Sequence, residues 1–421
     1  MNKRFFTFEG FILFVVIVLT NLRALIFFTL YPETGSAFGS AWIEIGFWIL
    51  AGVGVGYLLV RDNLMTQYFS TWRMNWVLGI FIIIAFISAL WSLDFSVTVF
   101  RALELLFATL IASDIGIRYR SDQLMTILFW FGAFMLIFSI ALVFGAPPTG
   151  TMPWVPFNGA WRGVYWHRNH LSSITALVNI VYFFRAIMAV ERRDKVGYLD
   201  GFLYILSLVV LYFAESATGY ILFILLHLFV ICAWLWDKIN DRLQTRHYYV
   251  VGGLSIIGLA LILSNLDVVF GLFDRTTTLT GRVGLWDYLL KNVVSERLWW
   301  GHGFGAIWAL ESVRESVRQG IGWYSQPVIA DNGYIEILLQ MGILGLFVFL
   351  SILIAAVVRT FRYALSHKTL TGFFPALVMF YAIFANIAFS LFAETEIFVW
   401  FLIVAVLFMV TPPFLKKKSS A

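Results

Sequence analysis

Asp331-Asn332-Gly333-Tyr334-Ile335-Glu336 closes the longest polar stretch of the chain, 265–333, and opens the apolar run 334–357. A helical run of that length covers a bilayer hydrocarbon core of about 30 Å. The same reading repeats outward from this point. Apolar runs at 9–31, 42–60, 76–92, 97–115, 124–145, 170–190, 198–214, 218–236, 249–264, 334–357, 372–391 and 397–411 predict about twelve transmembrane helices. The expected fold is an all-α integral membrane protein. It forms one polytopic domain, 1–421, with a single large external loop, 265–333. Composition agrees, with 61% hydrophobic and 13% charged residues against about 25% charged in soluble domains.

The distribution of basic residues predicts an orientation. With the N-terminus inside, the inner segments hold Lys3, Arg4, Arg61, Arg73, Arg118, Arg120, Arg192, Arg193, Lys195, Lys238, Arg242, Arg246, Arg359, Arg362, Lys368 and Lys416–Lys418. The short loops on the other side, 32–41, 93–96, 215–217 and 392–396, hold no Lys or Arg and carry Glu33, Asp94, Glu215, Glu394 and Glu396 instead. Both termini are expected inside, with 146–169 and 265–333 outside. The formal net charge of +5 then reflects cytoplasmic anchoring and gives no reason to expect nucleic acid. Cys232 is the single cysteine, so no intramolecular disulfide forms.

The two external segments carry the side chains with chemistry. Arg162, Arg275 and Arg282 suit phosphate, because a guanidinium stays charged and offers parallel donors. Most arginines at a membrane surface only anchor headgroups, and the residue types leave both roles open. Arg101 and Arg23 lie within apolar runs, where a charge needs a partner; Glu104 and Asp94 are near enough in sequence to serve Arg101. His167 and His170 are candidate bases, and no third ligand follows at metal spacing. Asp331 stands just before the tenth span, with Glu336 one turn further in. It is placed to accept a proton or to cap the helix beginning near Gly333. Within the large loop, helices are expected after Thr280 and over 304–319, both amphipathic and suited to an interface. Tryptophans gather at span ends: Trp42, Trp72, Trp76, Trp91, Trp299, Trp300 and Trp323. Most belong to interface belts, and a minority on the outer side is expected to stack on sugar rings.

Four stretches together resemble the bacterial O-antigen ligase and polysaccharide polymerase superfamily, in its exopolysaccharide polymerase-like branch. They are Ser92-Leu93-Asp94 with Arg101 and Leu105; Arg162-Gly163 through His167-Arg168-Asn169-His170-Leu171; Arg275 with Leu279-Thr280-Gly281-Arg282 and Trp286; and Gly301-His302-Gly303-Phe304-Gly305. At the end of the loop, Asn332, Gly342 and Gly345 match the ligase spacing, while Asp331 stands where ligases carry a His. The likeness runs from about residue 80 onward.

The resemblance implies glycosyl transfer from an undecaprenyl-diphosphate-linked oligosaccharide to a glycan acceptor, without metal or cofactor, on the outer face of the bacterial inner membrane. Catalytic roles fall on Asp331, Arg282, Arg275 and His167, and substrate contacts on Arg162, Arg101, Asn332, Glu336 and His170. The partners implied are the lipid bilayer, the donor, the acceptor and other polysaccharide assembly proteins. The leading expectation is a polymerase of repeat units; the alternatives are a ligase, a lipid-linked oligosaccharide flippase and a membrane scaffold.

Overall fold

The computed structural model describes Val18 and residues 38–153, 157–195, 197–239, 282–322, 329–367, 369–387 and 397–411. Arg23, Arg275, Thr280, Gly281, Glu394, Glu396 and the expected spans 9–31 and 249–264 lie outside the described residues. The helices are α1 (Phe38–Arg61), α2 (Met65–Met74), α3 (Trp76–Ile87), α4 (Phe95–Arg118), α5 (Ser121–Gly145), α6 (Arg168–Glu191), α7 (Tyr198–Phe213) and α8 (Ala217–Ile239). They continue as α9 (Arg282–Tyr288), α10 (Glu311–Ile321), α11 (Gly333–His367), α12 (Phe374–Ile387) and α13 (Phe398–Met409). Among the described residues there is no strand, only an antiparallel bridge between Thr151 and Trp161.

Six helical stretches are long and apolar enough to cross a membrane, or seven if the pair Gly46–Arg61 and Met65–Met74, bent by 115°, is one broken span. The expected spans at 76–92, 198–214 and 397–411 form shorter apolar helices. The protein is a multi-pass membrane protein. Its centre is α13, in which every residue from Phe398 to Met409 is buried. A helix apolar all round has no face for water or headgroups and belongs inside a bundle. It packs along α4 and against α11 and α12, and Trp400 Nε1 donates to Thr109 Oγ1 at 2.8 Å.

Polar residues collect at the two ends of the bundle. At one end Arg118 bridges Asp114 and Asp62, and Arg359 bonds the side chain of Asn75 and the carbonyl of Met74. At the other end the connection before α6 meets the end of α7, and the connection 92–94 meets the glycine turn. Trp161 N donates to Phe213 O at 2.9 Å, and Leu93 N to His302 O at 3.0 Å.

That turn is fastened to a break in α11. Gly342 has φ 66° and ψ −166° within an otherwise continuous helix, a conformation open to glycine and strained for other residues. A Cβ on Gly342 would fall on the backbone of Trp299, and one on Gly301 on the backbone of Gln340. The two backbones therefore touch and exchange hydrogen bonds. His302 N donates to Leu339 O at 2.9 Å, Gly303 N to Gln340 O at 3.0 Å and Ile343 N to Leu298 O at 2.9 Å. The break exposes α11 amide and carbonyl groups, and the glycine turn satisfies them.

The loop helices differ from expectation. The helix after Thr280 starts at Arg282, becomes a π turn over Leu289–Val293 and tightens to a 3-10 turn over Val294–Arg297. The helix expected over 304–319 divides into a 3-10 turn, Ile307–Ala309, and α10. Leu310 is extended between them, because the preceding turn is held against α11 through Trp308.

Candidate functional site

Arg282 is the first residue of α9, and Asp331 stands two residues before α11. The Arg282 Nε–H donates to Asp331 Oδ2 at 3.1 Å. This ion pair ties the two ends of the described loop together, and Trp286 Nε1 reinforces it by donating to Ala330 O at 2.8 Å. Arg282 is buried, so its charge is screened little by water and needs the carboxylate. Asp331 sits at φ 49°, a left-handed conformation that Asp and Asn tolerate better than most residues. The strain is local and coincides with the charged pair.

The cap of α11 corrects one expectation. Asn332 Oδ1, not Asp331, accepts from Tyr334 N at 3.0 Å and Ile335 N at 3.2 Å. The left-handed turn at Asp331 aims its carboxylate at Arg282 and leaves the adjacent amide side chain over the helix end. Asn332 therefore acts here on the backbone of α11.

The segment before α6 comes to the same place. Arg282, Arg168, Arg162 and His170 all lie close enough to His167 for their charges to act on it. Burial first, and these cationic neighbours next, hold the His167 imidazole well below its ordinary range, which favours the neutral base. His167 Nδ1 accepts from Asn169 N at 3.2 Å and so caps α6. His170 is buried against the edge of Tyr165, with ring centroids 6.3 Å apart.

Arg162 directs its guanidinium at backbone. Nε donates to Thr149 O at 2.9 Å, Nη2 to Pro148 O at 3.1 Å and Nη1 to Trp166 O at 3.4 Å. It thereby closes the loop 148–166 around itself. Arg168, named in sequence only within the motif 167–171, donates to the carbonyls of Ala214 and Glu215 and lies 3.6 Å from the Phe157 ring centroid. Its signal was available in sequence: a basic residue at the mouth of an apolar run.

Arg101 and Glu336 lie under the glycine turn, in a separate network. Arg101 Nη1 donates to Glu104 Oε2 at 3.0 Å, and a Cβ on Gly305 would meet the Arg101 side chain at 2.5 Å. Glu336 is fully buried. Its Oε1 accepts from Trp308 Nε1 at 2.7 Å and from Gln340 Nε2 at 2.8 Å, while Gln340 Oε1 accepts from Gly305 N at 3.0 Å. This carboxylate fastens the loop to α11.

His302, read in sequence only as part of the glycine turn, is also buried there. Its Nδ1–H donates to Leu339 O at 3.1 Å, and Nε2 stands 3.9 Å from the Glu296 carboxylate. Burial is the main cause that lowers its pKa.

The structure thus brings Arg282, Asp331, His167, His170 and Arg162 to one end of the bundle. Asn332 sits beside them as a cap, and Arg101 and Glu336 are nearby in the loop anchor. Among the described residues no three His, Cys, Asp or Glu side chains gather as a metal-ligand set. No curated protein matches the chain. Residues 202–350 match the family described as O-Antigen ligase. The match takes in α8, Arg282, the glycine turn, Asp331 and the break at Gly342, and it leaves the segment 146–170 outside. Over residues 202–350 the chain is similar to that family, which supports a place in the superfamily of these ligases and the polysaccharide polymerases.

Proposed function

We propose that the protein polymerises lipid-linked repeat units of an exopolysaccharide or O-antigen on the outer face of the bacterial inner membrane. The donor in this reading is a glycan on undecaprenyl diphosphate, and the acceptor is the hydroxyl of a second glycan. The acceptor oxygen attacks the anomeric carbon of the donor. The bond from that carbon to the diphosphate breaks with its electron pair on the diphosphate, and the acceptor proton passes to a carboxylate or imidazole.

The observation that carries this reading is the pairing of buried Arg282 with partly exposed Asp331 near His167, in a family-matched segment. A fixed guanidinium stabilises charge developing on the leaving diphosphate, and Asp331 and neutral His167 are the two proton acceptors at hand. Arg275 is proposed as a second diphosphate ligand. Leaving-group stabilisation by arginine needs no metal.

The description of the matched family, O-Antigen ligase, favours a second reading, transfer of a finished glycan to lipid A-core or another acceptor. Asp331, in place of the His that the resembling ligases carry, favours polymerisation. Deletion followed by sizing of cell-surface and carrier-linked glycan separates the two. A polymerase deletion leaves single repeat units and no long chains. Full-length polymer accumulating on the carrier would establish the ligase instead.

A further inference from the structure

Beside Gly301 lies an open cleft of about 780 Å³, within the range of small-molecule sites, about 300–1,000 Å³. Trp91, Trp299 and Trp300 line it together with Ser295, Glu296 and Arg297. Trp299 and Trp300 are 58% and 57% exposed, yet their backbone is among the most constrained in the loop. Leu298 O and Trp299 O accept from the amides of Ile343 and Leu344 at the break in α11, and Gly301 N donates to Arg297 O at 2.9 Å. Trp91 is fixed in turn: its Nε1 donates to Trp300 O at 3.1 Å, and its carbonyl accepts from Arg297 Nη1 at 2.6 Å. The rings of Trp91 and Trp300 meet edge to face with centroids 5.7 Å apart. The backbone ladder engages one side of this strip and leaves the indoles presented on the other.

We infer that this cleft is a glycan-docking subsite, distinct from the Arg282–Asp331 pair, and that it holds the growing polysaccharide by stacking sugar rings on Trp299 and Trp300. The inference rests on the glycosyl-transfer reading above. A pyranose offers an apolar C–H face and a rim of hydroxyls, so its recognition calls for flat aromatic surface next to charged hydrogen-bonding groups. The cleft supplies both. The Glu296 carboxylate is 70% exposed and accepts from hydroxyls, while the Arg297 guanidinium donates through the N–H groups that do not bond Trp91 O. A purely lipid-facing patch would not place a carboxylate and a guanidinium among its indoles, since charges in contact with acyl chains are costly. Fixed aromatic rings also lose little freedom on binding.

The test uses full-length protein in lipid nanodiscs and, as probe, polysaccharide released by mild acid from the surface of the expressing cells. Trp299→Ala/Trp300→Ala is expected to weaken probe binding at least tenfold and to shorten the product. Trp299→Phe/Trp300→Phe should restore most of the binding and most of the product length. Arg282→Ala should bind the probe normally. Unchanged probe binding in the double Ala variant overturns the inference. So does quenching of these two indoles by brominated acyl chains, read as the difference between wild type and the double Phe variant, which would make them a membrane belt. If wild type transfers glycan but the Trp variants behave normally, only the subsite falls. If wild type transfers no glycan, the reading beneath it falls.

Discussion

Arg282 and Asp331 depend on each other, and that dependence separates their variants. Arg282→Ala removes the proposed diphosphate ligand and is expected to lower product formation by about 10²-fold or more, about 3 kcal/mol of transition-state stabilisation. Lys should restore activity only in part, because it lacks the planar fork. Transfer assays on membranes with matched protein levels check both. Asp331→Asn is the informative change at the other partner. Asn tolerates the left-handed backbone at φ 49° and keeps an oxygen for the Arg282 Nε–H, but it takes up no proton. Protein level should hold while turnover drops about 10²-fold. Asp331→Ala should also lower the melting temperature, since it leaves a buried guanidinium without its carboxylate. A fully active Asn variant would move the base role to His167. Residue types alone marked Arg282, Asp331 and His167 as candidates. They did not reveal that Asp331 pairs with Arg282 while Asn332 caps α11, because both residues can cap and a one-residue change in backbone conformation decides which does.

At the scale of elements, the spans were legible because a bilayer demands long apolar helices with satisfied backbone. The six long apolar helices are the part of that expectation the structure carries. The loop was less legible. Amphipathic spacing over 304–319 predicted one helix, and contacts of Trp308 and Gly305 with α11 divide it. Gly342 and the turn Gly301–Gly305 were visible as glycines, but their joint purpose was not, since it lies in the approach of two backbones distant in sequence. Gly342→Ala is therefore expected to cost about 1–3 kcal/mol through the positive φ, with added cost from its clash with Trp299. Thermal unfolding in detergent should show the loss. Hydrogen exchange should quicken first at the amides of His302 and Gly303, which bond α11.

Across the whole molecule, the two polar segments become one site only when α6 and α11 bring their entrances to the same end of the bundle. His167 then feels the charge of Arg282, although over a hundred residues separate them. If arginines carry the leaving group, as proposed, EDTA-washed membranes should retain transfer activity. Loss on chelation with recovery on adding a divalent ion would reverse that proposal and recommend His167 and His170 as ligands. The sequence by itself determined that this is a helical multi-pass membrane protein. Hydrophobic run length is a property of consecutive residues and needs no partner to be read. Only the tertiary structure decided where the other buried cations find acceptors: Arg282 at Asp331, and Arg162 and Arg168 at backbone carbonyls. A buried cation takes whichever acceptor the fold brings within about 3 Å. That choice is made by helix packing and by the break at Gly342, not by spacing along the chain.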